Sequence, residues 1–137
     1  MPEMWDTNDK GMKVLDMRIC VTSTGEDLSA EVDPRFGRCR YFVIIDTDTM
    51  NVEAISNDSA AAYGGAGVNA AQTLARADVK VLLTGNVGPN AFQTLKAAGI
   101  EIITGVSGTV EEAVERYKKG EFDRTDAPTV GGHFGRR

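Results

Sequence analysis

The chain predicts an α/β fold: a five-stranded mixed sheet with helices packed on it, in the order β-β-β-α-β-α-β-α. Three observations lead there. The first half carries three short β-prone runs separated by turn residues. The second half alternates short apolar runs with segments of helical spacing, the signature of parallel strands joined by crossover helices. With 137 residues the chain can build one core and not two comfortable ones.

Residues 1–16 are polar and mixed, without a period, and read as a flexible N-terminal extension. Arg18–Ser23 (RICVTS) is the first strand, and Thr24–Pro34, rich in Gly, Asp, Glu and Ser, is a loop. Cys39–Asp46 (CRYFVIID) is the second strand. Strict alternation puts Cys39, Tyr41, Val43 and Ile45 on one face and Phe42 and Ile44 on the other. Both faces are apolar, as in an interior strand covered on both sides. Asp46–Asn51 is a turn by its Asp/Thr/Asn chemistry, and Val52–Ser56 returns as the third strand of an antiparallel meander.

Val68, Ala71, Leu74 and Ala75 share one helical stripe, so a helix runs over about Gly67–Ala77. Val79–Thr84 is a buried strand. Pro89 suits a first helical turn and Gly99 a helix stop, with Phe92 and Leu95 on the apolar face. Ile100–Thr104 is the fifth strand. Ser107 or Thr109 caps the last helix, Glu111 and Glu112 sit at its positive end, and Val110, Ala113, Val114 and Tyr117 form its buried side. Residues 17–122 make the domain, and 123–137, with Pro128 and several glycines, read as a loosely ordered tail.

Composition narrows the function. A net charge of −5 argues against a nucleic-acid partner. No apolar run reaches the roughly 20 residues that cross a bilayer, and the first residues lack the apolar core of a signal peptide. Two cysteines in a chain able to bury its own core are expected to be reduced thiols in a cytoplasm. No HExxH, CxxC or GxSxG occurs, and the single histidine, His133, excludes a multi-histidine zinc site. The acidic residues Asp46, Asp48, Glu53 and Asp58 cluster around a turn, where solvation explains them. An enzyme is not expected.

Four places stand out. Val32–Asp46 (VDPRFGRCRYFVIID) sets Cys39 among Arg35, Arg38 and Arg40. Neighbouring guanidinium groups favour a thiolate, which binds soft metals and iron–sulfur species, although a small buried thiol at a strand start is the alternative. Ala62–Gly67 (AYGGAG) precedes a helix, and Gly64, Gly65 and Gly67 let backbone N–H groups approach an anion; a plain helix entry loop is the alternative. Thr84–Asn90 (TGNVGPN) leaves the carboxyl end of a parallel strand, where ligands of open α/β sheets sit, and offers Gly85, Asn86 and Asn90. Ile103–Thr109 repeats that logic one strand on. His133, in the terminal GGHFGRR, is either a ligand that folds back or a solvated side chain. Cys20, between Ile19 and Val21, reads as an inert core thiol.

The stretches DPRFGRCRYFVIID, AYGGAGVNAAQTLA and VLLTGNVGPNAFQTLKAAGIEIITGVSGTVEEAVERYKKGE, spanning about Met17 to Phe122, resemble the dinitrogenase iron–molybdenum cofactor biosynthesis family. This is the NifX-like and NifB-C-terminal-like group of domains. The resemblance implies a ribonuclease H-like fold and binding or carriage of iron–sulfur or iron–molybdenum cluster precursors. Some members carry a histidine where this chain has Pro34 and Arg35, which leaves Cys39 and His133 as its soft ligands. The expectation is a non-enzymatic carrier, monomeric or weakly dimeric, that meets a partner protein of cofactor assembly. Cys39 ligates, Arg35 and Arg38 offset the charge of the cargo, glycine loops donate N–H groups, and His133 closes the site. A metal-free module that binds a small anion or a protein partner through the same loops is the competing reading.

Overall fold

β-branched and aromatic residues dominate the strands, and every interior strand carries apolar side chains on both faces. The computed structural model describes residues 17–49, 51–57 and 65–129. Five strands form one mixed sheet: β1 (Arg18–Ser23), β2 (Tyr41–Asp46), β3 (Val52–Ser56), β4 (Val81–Leu83) and β5 (Glu101–Ile103). Their spatial order is β3-β2-β1-β4-β5. β1, β2 and β3 form the expected antiparallel meander, with Cys20 opposite Ile44 and Ile44 opposite Glu53. β4 lies parallel to β1, and β5 parallel to β4. Three described helices connect and cover the sheet: α1 (Ala66–Arg76), α2 (Pro89–Ala97) and α3 (Val110–Lys118).

The period of two splits the core into two layers. Cys20, Phe42, Ile44, Leu82 and Ile102 face Leu74 of α1 and Leu95 of α2. Ile19, Val21, Val43, Ile45, Leu83 and Ile103 face Val110, Ala113 and Val114 of α3. Each fully buried aliphatic side chain contributes about 1.5–3 kcal/mol relative to exposure, so both layers are substantial.

Helix ends follow local chemistry. Pro89 occupies the first turn of α2, and Gly99 ends it at φ +78°. Thr109, not Ser107, caps α3: its hydroxyl accepts from the Glu112 N–H while Glu112 accepts from the Thr109 N–H. That reciprocal pair satisfies two otherwise orphan donors.

Several expectations need correction. β2 begins at Tyr41, so Cys39 sits in the loop before it and joins the layer of Phe42 and Ile44, not that of Val43 and Ile45. A bend at Arg40 breaks the alternation that would have carried Cys39 to the other side. β4 and β5 are three residues each, shorter than the apolar runs containing them. Ala75 is exposed, and Ala66 and Ala70 complete the α1 stripe instead. Within 123–129, the Thr125 N–H donates to the Ile102 carbonyl at 2.7 Å and the Thr129 N–H to the Val87 carbonyl at 2.9 Å. The extension 1–16, Gly64 and His133 lie outside the described residues. Among those described, no helix is long and apolar enough to cross a membrane.

Candidate functional site

The carboxyl ends of β1, β4 and β5 gather the loops that the sequence singles out. Residues after β1 turn back along it: the Asp33 N–H donates to Thr22 O at 2.8 Å, and Thr22 Oγ1 donates to Asp33 O at 2.6 Å. Thr22 Oγ1 and Thr84 Oγ1, at 2.8 Å, tie β1 to β4 at the same level. The chain then runs beside the β4–α2 loop. Asn86 N–H donates to Pro34 O at 2.8 Å, and Phe36 N–H donates to Asn86 O at 3.2 Å. Gly85 is required at this crossing, because a Cβ there would stand 2.6 Å from Pro34 Cα. Gly37, at φ +94°, rests on the first turn of α1, where a Cβ would come within 2.9 Å of Gly67 Cα.

These contacts leave a cavity of about 270 Å³. Phe36, Gly65, Gly67 and Val68 line one side, and Gly88 through Ala91 line the other. Gly67 lets the helices converge, since a Cβ would lie 3.0 Å from Ala91 Cβ. Both α1 and α2 begin at this cavity, from Gly65 and Gly88, and neither has a side-chain cap. Their first-turn N–H groups and positive dipole ends therefore address the same space. α3, which starts elsewhere, has a full capping box. Larger hollows exist: one of about 460 Å³ near Lys80, Lys96 and Arg124, which none of the singled-out loops lines, and an open one of about 670 Å³ where Ser107 and Thr109 of the Ile103–Thr109 loop meet the acidic first turn of α3.

Of the residues singled out from sequence, Gly65, Gly67 and Asn90 line the cavity. Gly85 and Asn86 lie behind it and hold the Pro34–Phe36 strand in place. Arg35 does not line it. Phe36, at the start of the turn that follows, faces the cavity. Arg35 instead pairs with Asp33, whose side chain is 3% exposed, through Nε–Oδ1 at 3.2 Å and Nη2–Oδ2 at 3.3 Å. Arg38 is exposed beside it, and its N–H donates to Arg35 O at 3.1 Å.

Cys39 overturns the expectation of an activated thiolate. It is 0% exposed within the α1/α2 layer. Burial pushes its thiol up to about 12, and the Asp33 carboxylate pushes the same way, against the pull of nearby backbone N–H groups. The Asp33 carboxylate lies close enough to act on the thiol, and Arg35, the guanidinium also near it, is paired with that same carboxylate. In this closed loop Cys39 presents no sulfur to a cargo. Cys20 is the expected inert core thiol, fully buried and raised well above its usual value by burial and by Cys39.

Sequence reasoning missed Asp33, Thr22, Thr84, Asn57, Thr125 and Thr129, which pin the loops and the tail. Most act across a long sequence gap, for example 62 residues for Thr22 and Thr84, so no local pattern marks them; Asp33 is the exception, its carboxylate bonding Arg35 two residues on.

A five-stranded mixed sheet whose glycine loops set two helix starts without side-chain caps around a small cavity defines an open-sheet domain of the α/β class. The family to which it belongs follows from comparison. The model of the family described as "Dinitrogenase iron-molybdenum cofactor" matches residues 17–120, and the chain belongs to that family. The apo form of the orange protein from Desulfovibrio gigas is similar, at 46% identity and a TM-score of 0.81 over 83% of this chain and 97% of that one. A provisionally assigned NifB protein from Thermotoga, solved by NMR, shares 40% identity and a TM-score of 0.72 over 83% and 99% of the two chains. An uncharacterized protein of Methanocaldococcus jannaschii is 27% identical over 118 residues, 84% of this chain and 97% of its own.

Proposed function

We propose that this protein binds and hands on anionic metallocluster precursors, of iron–sulfur or iron–molybdenum type, without turning over a substrate. The observation that carries the reading is the pair of uncapped helix N-termini around one cavity. Membership of an iron–molybdenum cofactor family supports the cargo class, and likeness to the orange protein supports a small cargo-binding domain. On the same family grounds we give the fold the ribonuclease H-like label, place the protein in the cytoplasm, and expect a monomer or weak dimer that meets a partner protein of cofactor assembly.

The donor set suits a cluster that brings its own ligands. No group of three or more His, Cys, Asp or Glu among the described residues is placed to hold a bare metal ion. Backbone N–H groups of the first turns, with the Asn90 amide, bond sulfide or oxo groups at the cargo's surface, and Gly65 and Gly67 allow close approach. Gly64, outside the described residues, is proposed as a further donor on the sequence pattern alone. Arg38 adds positive field at the neighbouring rim, and Arg35 adds less, because its charge is offset by Asp33. His133 is four residues beyond Thr129, which is anchored to Val87 beside Gly88, and four residues reach at most about 14 Å. His133 closes the site from there. Cys39 ligates only if its loop opens, so the reading does not rest on it.

Anaerobic reconstitution with ferrous iron and sulfide tests this. The wild type develops visible absorbance, Cys39→Ala keeps it, and Gly67→Val, which fills the cavity, loses it. A colourless wild type overturns the reading. The competing role, capture of a small oxyanion without metal, draws support from the same N–H groups; it predicts calorimetric binding of inorganic phosphate by protein that takes up no iron.

A further inference from the structure

Asn57 is the residue after β3, and neither the strand nor a turn there requires an amide. Its residue is buried, at 8% exposure. Its Nδ2 donates to Gly37 O at 3.0 Å and to Cys39 O at 2.9 Å. Its backbone N–H donates to Arg40 O at 2.9 Å. Three points of the Gly37–Arg40 loop thus hang on one residue 17 to 20 positions away, beneath the wall that Phe36 and Gly37 present to α1. A primary amide carries two N–H bonds, and here both go to loop carbonyls. Aspartate has the same shape and no donor; alanine has neither.

We propose that Asn57 is the positioning residue of the cargo cavity: it holds the Phe36–Cys39 loop against the first turn of α1, so that Phe36 keeps its place in the cavity lining. The inference rests on the cluster-binding reading above. Asn57 does not line the cavity and touches no cargo. Its removal detaches the loop, leaves the sheet and helices intact, and opens both the cavity wall and the cover over Cys39.

The test uses the full chain as wild type, Asn57→Ala, Asn57→Asp and, as a control, Val114→Ala, which truncates the core on the opposite face of the sheet. Two readouts are taken at a temperature where all four are folded by circular dichroism. In iron–sulfide reconstitution, both Asn57 variants take up cluster roughly tenfold less well than wild type, the loss expected when two bonds to buried carbonyls go. Val114→Ala binds as wild type even where its melting temperature falls further. In alkylation by iodoacetamide under native conditions, Cys39 of the Asn57 variants reacts roughly tenfold faster or more, with Cys20 inside β1 as the unreactive internal reference. Unchanged Cys39 labelling overturns the proposal whether or not cluster binds. Cluster uptake that follows melting temperature equally in the Asn57 and Val114 variants also overturns it, because a merely structural role predicts that. A wild type that takes up no cluster, together with faster Cys39 labelling in Asn57→Ala, supports the pin and refutes the cluster reading, so the two failures are distinct.

Discussion

Replacing Gly37 by alanine tests whether the loop is seated on α1 as described. Two costs add. At φ +94° an L-residue pays the left-handed penalty of about 1–2 kcal/mol. The new Cβ would also stand 2.9 Å from Gly67 Cα and 3.1 Å from Gly67 N, both backbone atoms that yield only if the loop or the helix moves. Overpacking of that kind costs about 1–3 kcal/mol. Gly99→Ala is the control: its φ of +78° carries the same strain, and no atom lies within 4 Å of the new Cβ. Urea unfolding followed by circular dichroism should therefore show a loss of about 2–5 kcal/mol for Gly37→Ala against about 1–2 for Gly99→Ala. The gap between them is the contact. If the two variants agree within about 0.5 kcal/mol, the resolution usual for such comparisons, the loop is not packed on α1 and Phe36 is not held in the cavity lining.

Other features give further expectations. Cys39 is held at about 12 against its usual 9.0, so the folded chain keeps a proton that the unfolded chain releases. That stabilisation is whole below about pH 9 and is lost as pH rises toward about 12, with a slope of up to about 1.4 kcal/mol per pH unit. Cys20 and Tyr117 shift the same way, so the difference between wild type and Cys39→Ala across a series of urea melts reads the Cys39 part together with its smaller push on Cys20. Thr109→Ala removes the α3 cap and should cost about 0.5–2 kcal/mol in the same assay; no change would mean that Glu112 or water replaces it fully. Thr129→Val loses the hydroxyl that accepts from Val87 N–H at 2.8 Å, so hydrogen exchange at Val87 should accelerate while global stability falls by no more than about 1 kcal/mol. Unaltered exchange there would detach the tail from the cavity rim.

The chain's periodicities carried most of the fold, because each is a local signal with a steric cause. Arg18–Ser23 and Val52–Ser56 form strands as read, and Pro89, Gly99 and Gly120 punctuate helices where proline and left-handed glycine must. The glycine loops were legible for the same reason: backbone can approach backbone only there, and Gly37, Gly67 and Gly85 each sit at such a crossing. What sequence could not supply was which side chains meet across those crossings. Cys39 looked cationic because its chain neighbours are arginines, yet folding sends Arg35 to Asp33 and leaves Cys39 beside the same carboxylate. The 123–129 segment looked loose because its own residues form no element; its bonds run to partners on β5 and before α2. Asn57 carries no motif, and only the distances to Gly37 and Cys39 reveal it.

The contrast between a self-capped α3 and the open starts of α1 and α2 has a practical consequence. A receptor built from peptide amides neither titrates in the ordinary range nor oxidises. Whatever the cavity accepts, the amide part of its grip should change little between mildly acidic and mildly basic solution, any pH dependence near neutrality belonging to His133, and peroxide treatment should spare the amides. Such a pocket also tolerates sequence drift at most positions, since the groups that touch the guest belong to every amino acid except proline; what must stay constant is the smallness of the residues that let the two helices and the loop close in.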